Sequence, residues 1–184
     1  MNFKQFLDII ELRTKVVSLS GLALGSLAAL LLAGPSGNLD WPALALMWLA
    51  SLAVDMGTTA FNSFFGYWDG SDDRRHNRES DKVLVHQGVA PGYALLVALA
   101  LFALAGGLGL ALCVMSGWWL LPCGLACMAV GFLYNGGPLP LARTPLGEVF
   151  AGGFLGGVLP VLTALIALGG THHPQALSGS RSCL

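Results

Sequence analysis

An all-α integral membrane helix bundle, with about five transmembrane helices, is the fold this sequence predicts, and three observations predict it. Of the 184 residues, 55% are hydrophobic and only 10% charged, far from the roughly 25% charge of soluble domains. Apolar runs of spanning length follow one another along the chain, and Lys and Arg collect on alternate connections. At about 20 apolar residues per span, a chain of this length with one polar loop holds five helices and no separate soluble domain. Disordered, collagen-like and DNA-binding classes are excluded. A formal net charge of −1 points to no nucleic acid or other polyanionic partner.

The chain opens with Phe3, Phe6, Leu7, Ile9 and Ile10 at helical spacing, with Lys4, Asp8 and Glu11 opposite. That pattern suits a short helix from Phe3 to Leu12 lying in the membrane interface. A cleavable signal peptide is not expected, because Met1 to Lys15 is charged and the apolar run that follows continues to spanning length. Spans are expected near Val16–Ala33, Trp41–Phe65, Tyr93–Met115, Trp118–Tyr134 and Leu146–Leu168. Small-xxx-small pairs at Gly21/Gly25, Gly152/Gly156 and Gly153/Gly157 predict close helix packing. Cys113, Cys123 and Cys127 lie within apolar runs and read as small hydrophobes rather than metal ligands. From Thr171 the composition turns polar, so residues 1–170 are expected to form the bundle and 171–184 a disordered tail. His172 and His173 in that tail offer a metal pair, but adjacent histidines in such a terminus are more simply solvated.

Alternating the spans places Lys4, Arg13, Lys15, Arg74, Arg75, Arg78, Lys82 and Arg143 on one side and leaves Arg181 on the other. The first side, with the N-terminus, is therefore expected to be cytoplasmic in a multi-pass cell-membrane protein. Trp41, Trp118 and Trp119 fall at the opposite ends, where amphipathic rings prefer the headgroup level.

Two features carry chemistry. Asp55, Thr59, Asn62 and position 66 share one face of the second span at 100° per residue. An ionisable group at that depth faces a cavity or a partner rather than lipid, which leaves Asp55 either lining an ion or substrate path or bonding a neighbouring helix. Beyond the stripe, the loop from Gly66 to Gly92 gathers Asp69, Asp72, Asp73, Arg74, Arg75, Arg78, Glu79, Asp81 and Lys82. Clustered carboxylates suit Mg²⁺ shared with substrate phosphates, and Arg and Lys suit the remaining phosphate oxygens. The plainer alternative is a solvated loop whose charges only set topology.

The run Asn62-Ser-Phe-Phe-Gly-Tyr67-Trp-Asp-Gly70-Ser-Asp72 resembles the first aspartate motif of UbiA-type membrane prenyltransferases, closest to the MenA (1,4-dihydroxy-2-naphthoate polyprenyltransferase) branch. That branch has Asn-x-x-x-Asp-Tyr-x-x-Gly-x-Asp, matched here without a gap at Asn62, Tyr67, Gly70 and Asp72. Asp81-Lys82-Val-Leu-Val85 with Gly88, Tyr134-Asn-Gly-Gly-Pro138-Leu-Pro140 and Leu146-Gly147-Glu148 are similar to later stretches of the same branch, so the resemblance runs from the first helix to the fifth. It implies a transferase that joins a polyprenyl group, supplied as its diphosphate, to an aromatic acceptor within the membrane; in the MenA branch the acceptor is 1,4-dihydroxy-2-naphthoate and the step belongs to menaquinone biosynthesis. Carried over, the resemblance implies Mg²⁺ as cofactor, Asn62 and Asp72 as catalytic residues, and Asp69 and Asp73 as auxiliary metal ligands beside Asp72. Tyr67, Arg74, Arg75, Lys82, Tyr134, Asn135 and Glu148 are the implied substrate contacts, with membrane lipid around them.

Two departures accompany the match. Position 66, where the motif has its central aspartate, is Gly66, which removes a carboxylate from the implied metal site. Family members have about nine helices and a second aspartate motif, whereas no Asp-x-x-x-Asp follows Glu148 here. The expectation is therefore an N-terminal portion or degenerate copy with impaired activity. The alternatives are a half-sized enzyme completed as a homo-oligomer through its glycine-rich fifth span, and a non-enzymatic membrane protein that keeps an isoprenoid-binding groove.

Overall fold

The computed structural model describes residues 3–34, 37–69, 84, 90–136, 140–144 and 146–169. Among them there is helix and no strand. The elements are α1 (Phe3–Ile9) and a 3-10 turn (Leu12–Lys15), then α2 (Val16–Ala33), α3 (Trp41–Trp68), α4 (Pro91–Ser116), α5 (Leu120–Asn135), a second 3-10 turn (Leu141–Arg143) and α6 (Gly147–Ala167). The five apolar helices fall on the five expected runs.

Four of them, α2, α3, α4 and α6, are long and apolar enough to cross a membrane. The fifth, α5, has 16 residues, about 24 Å at 1.5 Å per residue, which is shorter than the ~30 Å hydrocarbon core. The sequence run is longer because it includes Trp118 and Trp119, which form a turn instead. Gly117 at φ 113 breaks the helix in a region closed to side-chain-bearing residues, and Trp119 Nε1 caps the break by donating to the Ser116 carbonyl at 3.1 Å. Only 22–39% of each spanning window is buried within the protein. The outward faces are rows of leucine such as Leu24, Leu31, Leu96 and Leu104; leucine facing outward along helices of this length calls for lipid, and the chain is a membrane protein.

The helix α3 is the hub, packing on α2, α4, α5 and α6. Its contact with α4 is the most extensive, and α2 leans mainly on α6. Gly21 and Gly25 make that second contact possible: a Cβ on Gly21 would stand 2.5 Å from the Leu155 carbonyl oxygen, and one on Gly25 would collide with the Pro160 backbone and stand 2.7 Å from Thr163 Cβ. The expectation that Gly152/Gly156 and Gly153/Gly157 serve the same purpose is not met, since a Cβ on any of the four meets nothing within 4 Å. Small-residue spacing permits close approach but does not choose the helix that approaches. After Gly152 and Gly153, α6 passes through a π turn at Phe154–Val158 that includes Gly156 and Gly157, just before Pro160, whose nitrogen has no proton for the carbonyl one turn back.

Polar groups tie the helices where apolar surface alone gives no direction. Trp48 Nε1 donates to Ser26 Oγ at 3.1 Å, joining α3 to α2, and the Asp40 amide donates to the Ala167 carbonyl at 2.9 Å, joining the start of α3 to the end of α6. The Asp40 carboxylate then accepts from the Ala43 amide at 3.0 Å, capping α3 ahead of Pro42 in its first turn. Asp40→Ala should lower stability by about 1 kcal/mol in denaturant titrations of the detergent-solubilised protein; no shift of the midpoint would show that the cap contributes nothing.

Candidate active site at the convergent end of the bundle

The up-and-down order of the helices brings the C-terminal ends of α3 and α5 and the N-terminal ends of α4 and α6 to one end. A ring cluster knits that end together: Phe61 meets Phe102 of α4 edge-on at 5.1 Å and Phe132 of α5 at 5.3 Å, and Phe65 lies 6.1 Å from Phe132. Gly136 follows α5 because a Cβ there would stand 2.9 Å from the Phe65 ring, and Gly147 opens α6 because a Cβ would stand 2.7 Å from the Leu141 carbonyl. The glycines of the Tyr-Asn-Gly and Leu-Gly-Glu stretches thus serve backbone approach around this end.

The polar stripe of α3 leads into it. Asn62 is half-buried, Gly66 is buried one turn later, and Tyr67 is 43% exposed beside the exposed Asp69 that closes the helix. The Asn62 side chain makes no hydrogen bond to another described residue, which leaves its amide available. Tyr134 is half-buried and Glu148 exposed in the first turn of α6, where the helix N-terminus favours its charge. Asn135 is 6% exposed, and its Nδ2 donates to the Thr58 carbonyl at 3.0 Å, so this amide joins α5 to α3. Asp72, Asp73, Arg74, Arg75 and Lys82 lie outside the described residues, as do His172 and His173. Among the described residues no group of three or more His, Cys, Asp or Glu could hold a metal. Asn62 and Asp69 offer the hard oxygen donors that suit Mg²⁺, without forming a set by themselves.

The alternatives for Asp55 resolve into an interhelical bond. Its Oδ1 lies 3.0 Å from Lys15 Nζ, and its Oδ2 accepts from Ser18 Oγ at 2.7 Å. Lys15, expected among the solvent-side charges, is 1% exposed and also donates to the Asp55 carbonyl at 3.3 Å and to Thr59 Oγ1 at 3.2 Å. Burial pulls the Lys15 pKa below its ordinary value, against the raising effect of the Asp55 carboxylate. Sequence reasoning missed Lys15 and Ser18 as partners. A signal was present in their spacing: three residues apart at the start of a helix they share a face.

The sequence pattern of the UbiA prenyltransferase family matches residues 22–179. The chain belongs to the UbiA prenyltransferase family. Among curated proteins, this UbiA-family chain is 37% identical over 120 residues, 65% of its length and 38% of the relative's, to 1,4-dihydroxy-2-naphthoate octaprenyltransferase of Bacillus subtilis (strain 168). It is 31% identical over 146 residues, 77% of its length and 47% of the relative's, to the protein of the same name from Mycobacterium tuberculosis (strain ATCC 25618 / H37Rv). The Mycobacterium leprae (strain TN) counterpart is 30% identical over the same extent. The chain spans less than half the length of these curated relatives. No solved structure matches it.

Proposed function

We propose that this chain carries the diphosphate-binding end of a membrane prenyltransferase, which transfers a polyprenyl group to an aromatic acceptor of the 1,4-dihydroxy-2-naphthoate type in menaquinone biosynthesis. The observation that carries the reading is the gap-free match to the motif at Asn62, Tyr67, Gly70 and Asp72, which begins in the last turns of α3, where a polar stripe opens between apolar helices. The relatives' shared name as octaprenyltransferases supports the substrate class, and the Lys and Arg distribution supports a cytoplasmic placement of this end in the cell membrane.

In this reading Asn62, Asp69, Asp72 and Asp73 hold Mg²⁺, which supplies charge neutralisation to the diphosphate when bound. Arg74, Arg75 and Lys82 take the remaining phosphate oxygens, and Tyr67, Tyr134 and Glu148 border the mouth. The allylic C–O bond breaks with its electron pair leaving on diphosphate, an electron-rich ring carbon of the acceptor forms the new bond to the allylic carbon, and that ring carbon then sheds the group it bore, as a proton or, from a carboxylated carbon, as CO2, which restores the aromatic ring. Exclusion of water by the apolar helices protects the allylic cation from hydrolysis. Gly66 leaves this site one carboxylate short of the family motif, so its hold on Mg²⁺ and diphosphate is weaker.

The test uses membrane-embedded protein with 1,4-dihydroxy-2-naphthoate, a polyprenyl diphosphate and Mg²⁺, scored against empty membranes. Turnover should require Mg²⁺, vanish in Asp72→Ala and rise about tenfold in Gly66→Asp, the worth of roughly 1.4 kcal/mol. No product from any version would overturn the catalytic reading. It would favour a second reading, a membrane protein that binds isoprenoid without reaction, which Gly66 in place of the motif's central aspartate supports. Binding of the prenyl diphosphate without turnover is that reading's expected result.

A further inference from the structure

Residues 3–15 pack against α3. The interfacial helix expected over Phe3–Leu12 ends at Ile9, and Ile9 and Ile10 are 1% and 2% exposed, inside the protein. They share one buried cluster with Ala60 and Phe61 of α3, Ala94, Val97 and Ala98 of α4, and Leu84 from the connection between those helices. The chain then reverses at Glu11, whose φ of 46 is the only positive value at a non-glycine among the described residues, a left-handed conformation that strains a residue with a side chain. Thr14 holds the reversal, donating from its amide at 3.0 Å and its hydroxyl at 2.8 Å to the Glu11 carbonyl.

The reversal lays the segment across the polar stripe. Thr59 Oγ1 reaches the Ile10 carbonyl at 2.8 Å, the shortest of its carbonyl contacts, and Ser63 Oγ donates to the Ile9 carbonyl at 3.3 Å. Lys15 closes the crossing on Asp55 and Thr59. Two stripe positions, Asp55 and Thr59, are thereby occupied together with Ser63 at the edge of the stripe, and Asn62 lies immediately beside them on the same helix. The holding contacts are a buried ion pair and side-chain bonds to backbone carbonyls, with a strained turn between. Release relieves the strain of the turn, while the ion pair, the bonds to the Ile9 and Ile10 carbonyls and the apolar burial of both isoleucines together keep the segment down.

We infer that residues 3–15 form a releasable strap, latched by Lys15 on Asp55 and Thr59, whose docking covers the polar face of α3 and whose release frees Leu84 together with it. Undocked, the stripe opens as one polar face from Asp55 through Asn62 to the convergent end of the bundle. The strap is therefore a conformational gate on the approach to Asn62, and its existence does not depend on the chain's having prenyltransferase activity.

The experiment reads thiol accessibility in the full chain, with its four cysteines replaced by alanine, in lipid nanodiscs. Single reporters are introduced as Ile10→Cys, Leu84→Cys and, as a control remote from the strap, Ala105→Cys, which is 3% exposed in the native chain. Labelling rates by a water-soluble maleimide are compared with and without Lys15→Met. The expected result is a rise of tenfold or more at positions 10 and 84, with position 105 unchanged within twofold. Thr59→Val with Ser63→Ala, which keeps the ion pair and removes the two hydroxyls, should raise the same two rates about threefold. An unchanged rate at position 10 in both variants, a rise at 10 without one at 84, or an equal rise at all three positions would each overturn the inference.

Discussion

Gly25→Val should part α2 from α6. The Cβ would meet the Pro160 backbone and Thr163 Cβ, and neither can move aside: Pro160 is fixed by its ring and its helix, and Thr163 is fully buried with its hydroxyl bonded to the Leu159 carbonyl at 2.7 Å. Overpacking of this kind costs about 3 kcal/mol, and β-branching in a helix adds little to it. Gly153→Ala, at the same small-residue spacing on α6, meets nothing within 4 Å and should leave stability unchanged or raise it by up to about 1 kcal/mol, the helix-propensity difference. Unfolding of both variants in mixed micelles by titration with a denaturing detergent compares them directly. Equal losses would show that the α2–α6 contact does not hold the bundle together.

The second large effect lies at Lys15 and Asp55. Asp55→Leu leaves an ammonium group buried without its counter-charge, and breaking a buried pair in this way costs about 3–5 kcal/mol. The Lys15→Met/Asp55→Leu double variant removes both charges and should recover most of that loss, because apolar replacement of a whole buried pair is close to neutral. The two single variants and the double form a cycle, and the expected coupling is 2 kcal/mol or more, on the order of the upper range for residues in one network. Additive effects would mean that Lys15 draws its stability from the Thr59 hydroxyl and the Asp55 carbonyl instead of the carboxylate.

The spans were legible because a bilayer asks only for length and apolarity, and Val16–Ala33 is read to the residue from those alone. The end of a span is set by finer chemistry. Trp118 and Trp119 are as apolar as a helix requires, yet the positive φ at Gly117 places them in a turn and shortens α5. Partners across long separations were not legible: Ser18 and Asp55 are 37 residues apart, and nothing local says that α2 and α3 meet at that height. Nor could spacing separate Gly21 and Gly25, pressed against backbone, from Gly152 and Gly156, where an added Cβ would meet nothing within 4 Å. In the candidate site the motif itself was legible at Asn62, Tyr67 and Asp72. What it could not convey is that Asn135, a residue of a later matching stretch, spends its amide on the Thr58 carbonyl, because a helix-joining asparagine and a ligand-binding one look alike in sequence.

The 28 residues of α3 act as a depth gauge. From Trp41, an exposed ring suited to the headgroup layer, a helix standing upright uses up the ~30 Å of hydrocarbon after about 20 residues at 1.5 Å each, which is at Phe61. Asn62 is therefore the first residue to emerge, and Tyr67 and Trp68 stand among the headgroups. An amphiphile in the surrounding leaflet already carries its polar head at that level and its tail below, so it can reach Asn62 by sideways diffusion, without lifting its tail into water or dragging its charge into oil. Under the proposed function, lateral entry of this kind would make the lipid phase itself the supply route, and the concentration that matters at the site would be the mole fraction in the membrane rather than the molarity in solution.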